Sequence, residues 1–206
     1  MIDSHISDIK WMKRAIYLAS LGKGRTSPNP MVGAVILDKN GNLISEGFHS
    51  KSGMPHAEAM AFNNLKKDAR DGTIYVNLEP CCHQGKTPPC VDKIISFGIK
   101  KVFVSIEDPD KRVSGKGIKL LKDAGIKVHL GLCEKESQEL NKSFIHRNIT
   151  DNAFGVMKWA MSMDGRVGLK NGKSKWITNK DSRSLVHSFR ACFDAIVIGG
   201  NTLRKD

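Results

Sequence analysis

Residues 73–98 read TIYVNLEPCCHQGKTPPCVDKIISFG. The stretch opens on an apolar run, Thr73–Leu78, that predicts a buried strand. It closes on Val91–Phe97, which predicts a helix stopped by Gly98. Between them lies a proline-bearing loop with Cys81, Cys82 and Cys90. Upstream, Val32–Leu37 and Leu43–Phe48 flank Asp38-Lys39-Asn40-Gly41-Asn42 and predict a hairpin with a short glycine turn. His56–Leu65 predicts a helix with Ala57, Met60, Ala61 and Leu65 along one face. Downstream, Val102–Ile106 predicts a strand, Gly117–Ala124 a helix with Gly125 at its C-cap, and Val128–Leu130 a short strand. Ile9–Leu21 and Glu134–Asn148 carry helical spacing, each as one helix. Thr26–Pro30 must be a rigid loop, because its two prolines restrict themselves and the residues before them. Strands alternating with helices from Val32 to Leu130 predict an α/β class fold: an α/β/α sandwich around a mixed central sheet.

The chain has 206 residues, enough for one full domain and part of a second. Hydrophobic residues at 40% and charged residues at 26% exclude a disordered tail, a collagen and a fibrous array. No apolar run approaches the ~18 residues a membrane helix needs. The N-terminus MIDSHISDIKWMKR puts acids before any apolar stretch, unlike a signal peptide, so no membrane association and a cytoplasmic location are expected. A first domain is expected over 1–149 and a second over 150–206. In the second, Phe154–Ala160 reads as strand-like, Asp181–Arg190 as helix and Ala195–Ile198 as a fully apolar strand. A buried strand so close to the last residue would lack most of its sheet, so the second domain is expected to be incomplete.

Against 21 Asp+Glu stand 33 Lys+Arg, a formal net charge of +12. The excess suits a polyanion or a phosphorylated small molecule. Three of the five cysteines fall within ten positions, and without a secretory signal such a cluster reads as metal-binding or catalytic. His56, Cys81 and Cys90 supply three zinc ligands and leave the fourth position open, which is the ligand count of a catalytic site. Zinc there lowers the pKa of a bound water to about 7. Glu58, two residues after His56, is placed to take the proton and return it to a ring nitrogen and a departing amine. A structural zinc would want a fourth protein ligand, for which Cys82 and His83 stand nearby, although Cys82 adjoins Cys81 too closely for easy tetrahedral geometry. A His-x-Glu joined to a Pro-Cys…Cys is the pattern of zinc deaminases that attack an amino-bearing carbon of a nucleobase.

The spacing separates subclasses, because common nucleoside and polynucleotide deaminases carry Cys-x-x-Cys, whereas here eight residues, 82–89, stand between the cysteines. With Leu78-Glu79-Pro80 before it, this loop resembles the pyrimidine deaminase of bacterial riboflavin biosynthesis. That family is usually bifunctional: a diaminohydroxyphosphoribosylaminopyrimidine deaminase followed by a 5-amino-6-(5-phosphoribosylamino)uracil reductase. The resemblance extends through Ser27–Gly33, Gly47-Phe48-His49, His56-Ala57-Glu58 and Glu107-Asp108-Pro109, and resumes at Lys158–Gly165 and Ser174–Thr178.

The resemblance implies a cytidine-deaminase-like first domain, with His56, Cys81 and Cys90 as zinc ligands and Glu58 as proton shuttle. It implies as substrate 2,5-diamino-6-(5-phosphoribosylamino)pyrimidin-4(3H)-one, deaminated at the carbon bearing the 2-amino group. Asn29 and His49 match positions facing the pyrimidine and ribose, and Lys86 a basic residue that meets the phosphate. Cys82 departs from the serine the family often has there, and a thiol is the poorer hydrogen-bond donor. In the second unit, which resembles the start of a dihydrofolate-reductase-like reductase, Ala160, Trp176, Thr202 and Asp206 match NADPH positions. Ser174 and Arg190 there match reductase substrate positions. NADPH is expected only of a full-length protein, and no reductase activity is expected from these residues alone. A single phosphate monoester needs few of the twelve excess charges, and with aromatic residues at 6% a nucleic-acid partner is not expected. Two alternatives stand beside this reading: a transfer-RNA-type base deaminase, and a non-catalytic zinc-stabilised module. A homo-oligomer is left open.

Overall fold

The computed structural model describes residues 2–83 and 88–205, which form two compact units, one up to Phe154 and one from Gly155 on. The first opens with α1 (Ile2–Ser20), followed by the hairpin β1 (Gly33–Leu37) and β2 (Leu43–Phe48), then α2 (Ala57–Asn63) and β3 (Thr73–Val76). Next come α3 (Cys90–Ser96), β4 (Lys101–Val104), α4 (Lys116–Asp123), β5 (Lys127–Leu130), α5 (Glu134–Leu140) and α6 (Lys142–Thr150). The sheet order is β2-β1-β3-β4-β5; β1 runs antiparallel to both neighbours, while β3, β4 and β5 are parallel. The mixed sheet is thus realised. This is the layered mixed-sheet architecture that the resemblance implies.

Strand alternation sorts the core into two layers. Ala34, Ile36, Ile74, Val76, Val102 and Val104 face one way, against Ala57, Ala61 and Phe62 of α2, Val91 and Ile94 of α3, and Ile118 and Leu121 of α4. Val35, Leu37, Tyr75 and Phe103 face the other way, against Met12, Ala15 and Leu18 of α1. Both faces are covered, which is why β1 is buried at all five positions. Gly47 lets β2 lie directly on α2: a Cβ there would sit 2.4 Å from the Ala57 carbonyl oxygen and the Ala61 nitrogen.

Three expectations are corrected. The helix expected over Glu134–Asn148 is two, α5 and α6, meeting at Asn141, whose side chain is tied to the Met31 peptide instead of extending the helical surface. Phe154–Ala160 and Ala195–Ile198 form no strand, because no neighbouring chain hydrogen-bonds them into a ladder. The second unit instead holds α7 (Lys180–Arg190), where a helix was expected, and α8 (Gly200–Lys205), where none was. Among the described residues no helix is long and apolar enough to cross a membrane.

Candidate active site

The chain after β3 and the start of α2 converge where the parallel strands end. His56 directly precedes α2, Cys90 begins α3, and Cys81 lies on the segment leaving β3. The Nδ1 atom of His56 is 3.5 Å from each of the Cys81 and Cys90 sulfurs, and the three ligand atoms lie within 4.8 Å of one another. Tetrahedral zinc, with bonds of about 2.3 Å to sulfur and about 2.0 Å to nitrogen, needs sulfur and nitrogen ligands about 3.5 Å apart. The donor set fits zinc in both chemistry and spacing. Cys82 packs against the core and His83 is exposed, and neither joins the group.

The electrostatics favour a thiolate at one sulfur. The Cys90 thiol, then His56 and the Cys90 backbone N–H, hydrogen-bond the Cys81 sulfur and bring its pKa down to about 4. Cys90 moves the opposite way, raised by that same hydrogen bond and by burial. Glu58, 3% exposed on the inner face of α2, is pushed up to about 7, first by burial and then by the Cys81 charge. It also hydrogen-bonds Cys90.

A second group faces the same place. His49 is buried, and its ring meets that of His56 edge-on at 5.8 Å between centroids. Its Nδ1 is 3.1 Å from the Pro55 carbonyl oxygen and its Nε2 is 3.2 Å from Asn29 Nδ2. A carbonyl only accepts, so Nδ1 carries the proton and Nε2 accepts from the Asn29 amide. Burial agrees, lowering the His49 pKa and keeping the ring neutral. The Asn29 side-chain oxygen is thereby turned away from His49 as an acceptor.

Glu79 was only part of a motif in the sequence, yet it anchors the cysteine segment. Its buried carboxylate accepts the backbone N–H of Asp108 at 3.2 Å, of Gly115 at 2.9 Å and of Ile118 at 3.1 Å. It caps α4 from a distance, since Gly115 at the N-cap has no side chain to do so. Gly117 admits this arrangement: a Cβ there would stand 2.3 Å from the Pro80 carbonyl oxygen. Asn77, also buried, accepts from Gly33 N at 2.8 Å and donates to the Met31 carbonyl at 3.0 Å. Its sequence signal was a polar residue inside an otherwise apolar strand run. Asn141 had none.

Lys86 and Asp206 lie outside the described residues. In the second unit, Ser174, Trp176, Arg190 and Thr202 are exposed and Ala160 is half-buried. Trp176 lies under the Arg183 guanidinium at 4.2 Å, and Ser174 and Trp176 line a hollow of about 300 Å³ whose walls do not include Ala160, Arg190 or Thr202.

Residues 5–106 match the cytidine and deoxycytidylate deaminase zinc-binding region, and residues 153–206 match the RibD C-terminal domain. The riboflavin biosynthesis protein RibD of Aquifex aeolicus is 46% identical over 199 residues, which are 97% of this chain and 56% of that protein. The chain belongs to the RibD family. Among solved structures, a diaminohydroxyphosphoribosylaminopyrimidine deaminase/5-amino-6-(5-phosphoribosylamino)uracil reductase from Thermotoga maritima superposes with a TM-score of 0.93 at 43% identity. The match covers 98% of this chain and 58% of that one. RibD of Acinetobacter baumannii follows with a TM-score of 0.89 at 41% identity, covering 98% and 56%. The chain spans about half the length of the curated RibD relatives it matches.

Proposed function

We propose that this RibD-family chain is a zinc-dependent hydrolase that removes the 2-amino group of 2,5-diamino-6-(5-phosphoribosylamino)pyrimidin-4(3H)-one as ammonia, a step of riboflavin biosynthesis. The observation that carries the reading is the convergence of His56 Nδ1 with the Cys81 and Cys90 sulfurs at zinc spacing, beside the buried Glu58. His56, Cys81 and Cys90 would hold the ion. When bound, zinc supplies a Lewis acid that makes water nucleophilic near neutral pH.

The remaining steps belong to the protein. Glu58 takes a proton from the attacking water and passes it to the ring nitrogen beside the reacting carbon. It then carries the water's second proton to the amino group, so that the carbon–nitrogen bond breaks, a carbonyl forms and ammonia leaves. Burial of Glu58 keeps bulk water from competing for those protons. The Asn29 side-chain oxygen, fixed by His49, accepts a hydrogen bond from a pyrimidine N–H. Lys86 contributes positive charge for the phosphate. The reading includes a deaminase domain over 1–149, the beginning of a reductase domain over 150–206, a cytoplasmic location and a small phosphorylated substrate in place of nucleic acid.

Ammonia release from the diaminopyrimidine phosphate, measured on zinc-loaded protein with and without chelator, tests it. Chelator-sensitive release is expected. Absence of release, or deamination of a transfer RNA alone, overturns it.

A further inference from the structure

Both backbone polar groups of Met31 are held by side-chain amides, so the two peptide planes that meet at its Cα are each anchored. Its N–H donates to Asn141 Oδ1 at 2.8 Å, and its carbonyl accepts from Asn141 Nδ2 at 2.9 Å and from Asn77 Nδ2 at 3.0 Å. Asn141 stands 110 residues away in the chain, at the joint of α5 and α6, and is 1% exposed. Its backbone already serves both helices, donating to the Ser137 carbonyl and accepting from Ile145 N. The side chain is therefore spent wholly on another element. An apolar residue of its size would fill the same space without holding either peptide plane beside Met31.

The Pro30–Met31 plane, held through its N–H by Asn141, matters because Asn29 is two residues upstream of Met31, joined through Pro30, whose fixed φ makes the arm stiff. On the other side of Asn29, Arg147 of α6 donates to the Pro28 carbonyl at 2.9 Å. The same helical pair thus grips the Asn29 loop before and after the residue that presents an acceptor toward the site. Resting on the deaminase reading above, we infer that Asn141 is a positioning residue of the deaminase site. By holding the Met31 backbone it seats the Asn29 amide on His49 and aims its oxygen at the pyrimidine. Asn141 itself touches no reacting atom.

The test compares the zinc-loaded full chain with Asn141→Leu, Asn141→Asp, Asn29→Ala and the double variant Asn29→Ala/Asn141→Leu. Asn141→Leu should keep stoichiometric zinc, raise KM for the diaminopyrimidine phosphate about tenfold and move kcat much less. Asn141→Asp keeps the acceptor for the Met31 N–H and should fall between it and the parent. In the Asn29→Ala background, Asn141→Leu should add less than about twofold, because its route to the substrate is already cut. An unchanged KM, or effects that multiply in the double variant, overturns the inference. If Asn141→Leu does not fold, Asn141→Asp is judged by the same KM criterion.

A readout independent of turnover separates this from the deaminase reading. The hydrogen-bonded His49 Nδ1 proton and the Asn29 side-chain amide should give nuclear magnetic resonance signals that broaden in the Asn141 variants. Failure of the parent chain to release ammonia overturns the deaminase reading and leaves these signals to decide the positioning role. Signals unchanged in both variants overturn that role.

Discussion

Val104 and Val197 are the same residue type in similarly apolar runs, yet Val104 is 0% exposed and Val197 95% exposed. Val104 ends a strand paired on both sides, with β3 and with β5, and its side chain packs among those of α2, α3 and α4. Val197 belongs to a segment with no ladder partner, and Met163 and Leu203 of the same unit are likewise exposed. Apolar patterning says what a segment is able to become. Hydrogen-bonding neighbours and a facing layer decide whether it does, because unpaired backbone groups cannot be buried without cost. The first unit has those neighbours, and it places its chemical groups on them; the exposed runs of the second unit have none.

Removing what organises the first unit is the strongest way to break this contrast. Cys90→Ser should lose the metal and much of the stability of residues 2–154, since binding energy at such a site is also folding energy. A loss of roughly 3 kcal/mol corresponds to about 10 °C in Tm for a unit this size. Calorimetry and metal analysis check it, and chelation of the parent should reproduce the shift. Glu58→Gln should do the reverse, keeping zinc and Tm while turnover falls by about 10²–10⁴-fold. Near-normal turnover in that variant would sink the proton-shuttle role.

Next in size is Glu79→Gln. Three backbone N–H groups converge on the Glu79 carboxylate, and an amide turns its NH₂ toward at least one of them. A cost of about 2–3 kcal/mol is expected, with weaker metal retention because Pro80 and Cys81 follow directly. Denaturant unfolding and a competition assay with a chelator measure both. A loss of stability without weaker zinc binding would separate the α4 cap from the metal site.

These variants also mark what was legible in the chain. The five strands, α2 to α4 and the later part of α1 were readable because apolar spacing and glycine stops carried them, and His56, Cys81 and Cys90 because few other roles need those residue types at that spacing. α1 begins at Ile2, seven residues before the expected Ile9, because its mainly polar opening has no apolar spacing to mark it. Glu79, Asn77 and Asn141 were not readable as anchors. Their partners lie 29 to 110 residues away, and a single polar side chain carries no sign of which distant peptide it will hold. The break at Asn141 was hidden for the same reason. Phe154–Ala160 and Ala195–Ile198 had strand patterning, but pattern alone supplies no partner.

The valine pair tests the contrast directly. Val104→Ala removes buried methyl groups from a filled core and should cost about 2 kcal/mol. Val197→Ala should stay within about 0.5 kcal/mol, as exposed substitutions do. Equal effects would mean that exposure does not separate the two positions.

The smallest effect concerns a charge. Asp108, nearly buried beside Asp110, Glu79 and Cys81, has its pKa pushed up to about 6, chiefly by burial and then by those negative neighbours; a hydrogen bond from the Asp110 N–H opposes the rise. The folded state therefore disfavours its ionised form. No penalty applies below pH 4, where the group is protonated whether folded or unfolded; the penalty grows between pH 4 and 6 and is complete above pH 6. Asp108→Asn retains an oxygen for the Asp110 N–H but cannot ionise, so it should be more stable than the parent by about 1 kcal/mol at pH 7, after allowance for solvent screening. The gap should close as the pH falls toward 4. Asp164→Asn, on an exposed turn of the second unit, should stay within about 0.5 kcal/mol. Unfolding curves of the parent and both variants across that range check the pair. A gap for Asp108→Asn that persists unchanged at pH 4 would mean that something other than the buried charge sets it.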